Sequence, residues 1–457
     1  MKQYQKVKPD YEKITDWEFY ASDVLTEYSQ CIDEGLKVGD YKELFDAVAK
    51  LPKSEIKSDL GDVIYKIVCS AETDENYPYT EPNALDEIRA LRQPHMLSGT
   101  VDEAGLEDKI HGAWLGRVCG CMLGKTVEGI RTDELIPFLK ETGNYPMHRY
   151  ILRSDLTEEL CEKYRFGFKH REYADEIDGM PPDDDTNYVV LAQRIFEKYG
   201  RDFTPHDVAR AWVDSQPKYA YCTAERVAFC NFVKGFEPPE SAVYKNPYRE
   251  WIGAQIRGDY WGYINPGNPE KAAELAWRDA SISHVKNGIY GEMFAAAMIA
   301  AAAVTDKMED IILAGLAEIP KTSRLYSDVM SIVDIYRQSR PAAEAFELVH
   351  SRYNEYTGHG WCHTNSNAMI VAAALLYGES DYGKTVCMAV ETGFDTDCNA
   401  ATAGSIVGMI NGAKALPECW TAPINDTLHT AIFGVGTVKI SAAAKKTMAH
   451  IKRMLEE

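Results

Sequence analysis

The chain has 457 residues, with 49 Lys plus Arg against 70 Asp plus Glu and a net charge of -21. Its length provides for a large core, as two compact units or as one catalytic domain with an addition. The acidic balance excludes a phosphate backbone or an anionic membrane surface as the main partner, so neither nucleic acid nor membrane is expected.

The opening segment Met1–Pro9 lacks the apolar stretch of a secretory signal, and the eleven cysteines are scattered, odd in number and free of C-x-x-C pairs. Reduced thiols and a cytoplasmic setting are the expectation. Residues 1–104 predict a small helical appendage, with apolar residues at helical spacing in Tyr20, Val24, Leu25 and Tyr28 and again in Leu44, Phe45, Val48 and Leu51. The polar run Thr73–Asn83, with Pro78 and Pro82, predicts a loop, and Pro94 and Gly99 mark the boundary before a second unit over 105–457.

That second unit opens with a helix from Leu106 in which Gly112, Gly116, Gly120 and Gly124 form one stripe. Such a stripe lowers helix stability and predicts close approach of another backbone. Gly404, Gly408 and Gly412 repeat the device. Arg117 and Lys125 interrupt the first run, which excludes a membrane-dimer reading. The apolar run Met293–Val304 falls short of the roughly 18 residues of a spanning helix and predicts a buried one.

Helical patterns also cover Val189–Tyr199, Asp207–Val213, Glu270–Asp279, Gly291–Val304, Asp310–Glu318, Ser327–Ser339 and Ala368–Tyr377, while strands are scarce. The predicted class is all-α. Pro247–Pro269 is long and rich in turn residues, which predicts a functional loop. Its Trp251, Tyr260 and Trp261 offer stacking faces for a flat group, with core packing the equal alternative.

Two acidic clusters carry the chemistry. Asp183–Asp185 precedes an apolar helix, and three adjacent carboxylates repel one another more than a helix N-terminus offsets. A divalent cation offsets more, whereas the simpler reading is an N-cap by Asp185 or Thr186. Asp395 and Asp397 likewise precede a small-residue helix, and a capped helix start explains them equally simply. Brought together, the clusters supply five carboxylates, enough for two metal ions about 3.5–4 Å apart.

The glycine stripe ending in Gly124-Lys-Thr-Val-Glu128, then Asp183-Asp-Asp-Thr186, the segment Ser281–Gly291, and Asp395-Thr-Asp397 before an Ala/Gly-rich helix together resemble the signature set of the ADP-ribosylglycohydrolase family. The resemblance covers roughly residues 106–440. It implies an orthogonal all-α bundle with two Mg²⁺ ions, or Mn²⁺, at its centre. The implied activity is hydrolysis at the anomeric carbon of an ADP-ribosyl or related ribosyl group, carried by a small molecule or a protein.

Carried over by position, the resemblance implies metal ligands at Asp183, Asp184, Asp185, Asp395 and Asp397 and catalytic roles for Glu128, Asp184 and Asp397. It implies substrate contacts at Gly124, Ser283, His284, Gly393 and Phe394. In that scheme Asp184 or Asp397 holds or deprotonates a metal-polarised water, and Glu128 positions the substrate or assists proton transfer. Asp183 departs from the family's Thr or Ser, Cys398 departs from its Thr, and the phosphate loop is only faintly echoed in Gly253–Arg257. His284 reads as a core histidine or a substrate contact, and in the polar run His359–Asn367 the residues Thr364–Asn367 read as helix caps, with Trp361 and His363 the alternative lining of a pocket for a base or ribose. Two other classes stay open: an Mg²⁺-dependent enzyme on allylic diphosphates, and a non-catalytic, crystallin-like relative.

Overall fold

The computed structural model describes residues 7–456; residues 1–6 of the opening segment lie outside the described residues. At its centre the helices Leu106–Lys125 and Thr396–Asn411 run antiparallel, backbone against backbone. A Cβ on Gly112, Gly116, Gly120 or Gly124 would strike the backbone of Gly408, Gly404, Ala400 or Thr396, respectively. Both glycine stripes therefore serve one interface. Each glycine costs about 1 kcal/mol of helix propensity relative to alanine, which the close backbone contact offsets. Thr396 Oγ1 donates to Gly124 O at 2.9 Å and fixes the end of this seam nearest the acidic residues.

Against the pair pack the helices Asn287–Ala302, Thr364–Tyr377, Tyr382–Glu391 and Ile440–Glu456, and Pro269–Ala280 lies behind them on Asn287–Ala302. Every residue of Asn287–Ala302 is buried, its apolar residues covering all faces and Glu292 meeting Arg257 at 3.3 Å. The fold is all-α; the only strands among the described residues are Thr427–His429 and Thr437–Lys439, an antiparallel pair with Leu428 opposite Val438. No helix among the described residues is long and apolar enough to cross a membrane.

The helices predicted from Val189 onward all start earlier than their apolar periodicity, and two of them show why. The one expected from Val189 begins at Asp184, because Asp183 Oδ1 accepts from Asp185 N at 2.9 Å as N-cap. The one expected from Ala368 begins at Thr364, capped by His363 Nδ1, which accepts from Asn365 N at 3.1 Å. Polar first turns carry the caps and no hydrophobic pattern.

The helices Val24–Asp33, Lys42–Ala49 and Glu55–Ser70 share a small core of Val24, Phe45, Val48 and Ile64. Buried ion pairs tie this region to the rest. Arg249 pairs with Glu27 at 2.8 Å and Glu34 at 2.7 Å, and Arg324 pairs with Glu81 at 2.9 Å as well as with Glu250 at 2.6 Å. Without those N-terminal carboxylates, Arg249 would lie buried and uncompensated, a costly state.

The predicted functional loop Pro247–Pro269 is instead largely core. It folds into the short helices Gln255–Arg257 and Asp259–Tyr263, Tyr260 and Trp261 are fully buried, and Trp261 stacks on Phe203 at 4.6 Å. Its glycines serve packing, since a Cβ on Gly262 would press on Ile299 and Ala296.

Candidate active site

The central helix pair carries Glu128, just past the first helix, to the start of the second, where Asp395 and Asp397 lie. The start of the Asp184–Tyr199 helix joins them. Carboxylate oxygens of Glu128, Asp395 and Asp397 fall within 4.8 Å of one another, as do ligand atoms of Asp185, Asp397 and Cys398, and of Cys121, Asp183 and Asp185. Asp397 and Asp185 each belong to two of these groups. The two sequence clusters therefore form one continuous acidic centre.

Its electrostatics are unfavourable for the protein alone. Burial, then the neighbouring Glu128 and Asp395, push the Asp397 carboxyl well above the usual carboxylate range. Burial also raises Asp184, with Asp183 and Glu128 adding repulsion, and it raises Asp185 against the pull of Arg117. Glu128 is pushed up to about 7 by burial and by Asp395 and Asp183. Asp395 is raised by burial as well.

Two cations answer part of this charge. Arg117, almost fully buried, pairs with Asp185 at 3.0 Å and with Asp259, and donates to Asp185 O and Ile256 O. Lys125 pairs with Asp183 at 3.0 Å. Asp183, the extra carboxylate in the first cluster, is thus occupied at both oxygens, by its cap bond and by Lys125.

The remaining charge and donor chemistry fit a hard divalent cation. Asp397 Oδ1 is buried and has no hydrogen-bond partner, an expensive state for a carboxylate unless a cation meets it. The thiols do not compete: burial and then Asp185 push Cys398 well above the usual thiol range, and burial and Asp183 do the same for Cys121. A protonated thiol donates instead, as Cys398 Sγ does to Asp185 Oδ2 at 3.2 Å and Cys362 Sγ to Asp395 Oδ2 at 3.6 Å. Asp184 lies half-buried beside these sets, close enough to Glu128 and Glu225 to feel both charges.

The other predicted residues divide clearly. Gly124 admits the Thr396–Asp397 backbone, so its missing side chain sets the spacing of the centre. Gly393 and Phe394 take left-handed φ values of 75° and 59° and turn the chain into Asp395, with the buried Phe394 ring 5.0 Å from His350. Ser283 and His284 are not hydrogen-bonded to the acidic centre. Ser283 Oγ accepts from Arg257 Nη2 at 3.2 Å and bonds His284 Nδ1 at 2.8 Å, and His284 lines a separate cavity of about 720 Å³ with Tyr65 and Trp277.

Arg257, in the faint phosphate-loop echo, points inward to Glu225 at 3.1 Å, Asp279 at 2.5 Å and Glu292 at 3.3 Å. A third acid and histidine group, Asp33, His359 and His363, is held otherwise than a metal site. Trp251 Nε1 donates to His359 Nδ1 at 3.2 Å and Asn365 N donates to His363 Nδ1 at 3.1 Å, so each Nδ1 is an acceptor and the Nε2 proton points to Asp33 from His359 and towards Glu250 and Asp33 from His363.

Cys121 and Cys362 carry no sequence signal for the site, and Asn367, which reads in sequence as a helix cap, instead accepts through Oδ1 from Asp395 N at 3.2 Å and Asn399 Nδ2 at 2.8 Å. Arg117 reads in sequence only as an interruption, although a charged residue within a buried small-residue stripe is itself a signal of a buried partner.

The family model described as ADP-ribosylglycohydrolase matches residues 102–451. No curated protein matches the sequence. Among solved structures, the chain is similar to an ADP-ribosylglycohydrolase-related protein complex at 17% identity and a TM-score of 0.46, covering 76% of this chain and 99% of that one. The family match spans most of the chain and includes both acidic clusters and the glycine seam between them, and on that ground the chain belongs to the ADP-ribosylglycohydrolase family.

Proposed function

We propose that this protein is a divalent-metal-dependent glycosidic hydrolase acting at the anomeric carbon of an ADP-ribosyl or related ribosyl group. The single observation that carries the reading is the buried acidic centre joining Glu128, Asp395, Asp397 and Asp185, with Asp397 Oδ1 unpartnered. Family membership supports the reaction class.

Asp185, Asp395 and Asp397, with Glu128 at the edge, would hold Mg²⁺ or Mn²⁺ through oxygen; two ions fit the number of carboxylates. Bound cations would neutralise the cluster and polarise water and sugar hydroxyls. Asp183 acts beside them as the cap of its helix and the partner of Lys125. Asp184 or Asp397 holds the attacking water and takes its proton as the water oxygen bonds to the anomeric carbon. The glycosidic bond breaks through oxocarbenium character, and the departing atom is protonated. Glu128, beside Asp395 and Asp397, positions the sugar and assists that proton transfer.

A hydrolysis screen with Mg²⁺ across ADP-ribosyl-arginine, ADP-ribosyl-serine and a nucleoside panel, read by product mass, tests the reading. Release of a free ribosyl product that EDTA stops is expected. No release from any of them, or release indifferent to EDTA, contradicts it. Diphosphate release from prenyl diphosphates would instead favour the allylic reading.

A further inference from the structure

Most of the buried arginines are committed to carboxylates: Arg117, Arg249, Arg257 and Arg324 each face at least two. Two half-buried arginines at the Glu128 turn differ. Arg131 Nη1 donates to Gly129 O at 3.0 Å, and Arg171 Nη2 donates to Glu128 O at 2.9 Å, so both guanidinium groups anchor on consecutive carbonyls of one turn. Neither has a carboxylate within ion-pair distance among the described residues, despite the net charge of -21.

Each also lies over an aromatic ring, with Arg131 Cζ 5.2 Å from the Trp361 ring centroid and Arg171 Cζ 4.6 Å from that of Phe166. Stacking fixes the plane of a guanidinium and leaves its N–H edge available. Of five N–H donors on each, one is spent on a carbonyl. A further donor points the same way: Trp361 Nε1 is buried and has no acceptor. Trp361 precedes Cys362, whose thiol bonds Asp395, so these donors sit beside the acidic centre.

An acidic centre repels an anionic substrate unless fixed positive charge stands close by. Fork-shaped guanidinium edges match phosphate oxygens in geometry and charge. We infer that Arg131 and Arg171, with Trp361, form an anion subsite that takes a phosphate or diphosphate group of the ribosyl substrate, selecting phosphorylated over plain nucleoside ligands. This deepens the glycosidase reading and rests on it. The inward-facing Arg257 leaves the task to these residues.

Calorimetric titration of the full-length, Mg²⁺-loaded protein with ADP-ribose, ribose 5-phosphate and adenosine tests it, comparing wild type with Arg131→Gln Arg171→Gln. The double variant is expected to lose about tenfold or more in affinity for both phosphorylated ligands while binding adenosine as wild type does. The unchanged adenosine affinity also reports an intact fold. Equal binding of ADP-ribose by both proteins overturns the arginine assignment alone, as does an equal loss for adenosine, which marks a structural role. Wild-type protein that binds none of the three overturns the glycosidase reading and the subsite with it.

Discussion

Cys398 Sγ donates to Asp185 Oδ2 at 3.2 Å, at the position where the family resemblance implies a threonine hydroxyl. The thiol supports a carboxylate rather than adding a ligand of its own, because a protonated sulfur is a poor partner for a hard cation. Cys398→Thr supplies an oxygen at the same place. It is expected to tighten Mg²⁺ binding roughly three- to tenfold by calorimetry. Unchanged or weaker binding would show that residue 398 lies outside the ligand set.

The seam between the central helices predicts a specific cost. Gly116→Ala places a methyl against Gly404 O, and the overpacking penalty of about 1–3 kcal/mol outweighs the helix-propensity gain of about 1 kcal/mol. Urea denaturation is expected to show a lowered midpoint for Gly116→Ala and no loss for Gly39→Ala, where a Cβ meets nothing within 4 Å. Equal midpoints for the wild type and Gly116→Ala would mean the helices separate readily.

Lys125 neutralises Asp183 at 3.0 Å beside carboxylates that already repel each other. Lys125→Met leaves that charge for a metal ion to answer. The difference in thermal midpoint between Mg²⁺ and EDTA is expected to widen relative to wild type, through a less stable metal-free form. A difference equal to wild type would place Lys125 outside the charge balance.

His450 supplies a pH test away from the acidic centre. Burial holds its imidazole down to about 4, and its Nδ1 bonds the Tyr260 hydroxyl. The folded value lies below the ordinary 6.5, so the unfolded chain takes the proton first as pH falls. The stabilisation is therefore complete above about 6.5 and lost progressively between there and about 4. Thermal melts of His450→Gln are expected to show a shallower acid slope in this window than wild type. Parallel slopes would contradict the assignment.

The all-α class and the closeness of two glycine helices were legible in sequence, since a four-residue glycine period has few other uses. Which helices would meet was not, because Gly116 and Gly404 are far apart in the chain and nothing local pairs them. Both acidic clusters were visible, but each alone reads as a cap, and Asp183 in fact caps its helix while standing beside the centre. Trp261 shows the converse failure: an aromatic in a turn-rich segment suggests a ligand face, yet it packs on Phe203 because the short helices bury it. Ser283 and His284 followed from motif position, and their bonds to Arg257 and to each other depend on tertiary contacts that periodicity does not carry.

The acidic centre as a metal site is tested by an Mg²⁺ titration of wild type and Asp397→Asn, read together with Mg²⁺-dependent release of ADP-ribose. Asp397 shares two of the close ligand groups and keeps a buried, unpartnered oxygen. The variant is expected to stay folded, to lose Mg²⁺ affinity by about a hundredfold or more, and to release no ADP-ribose above background. A folded Asp397→Asn protein that binds Mg²⁺ and turns over substrate as wild type does would contradict the metal site.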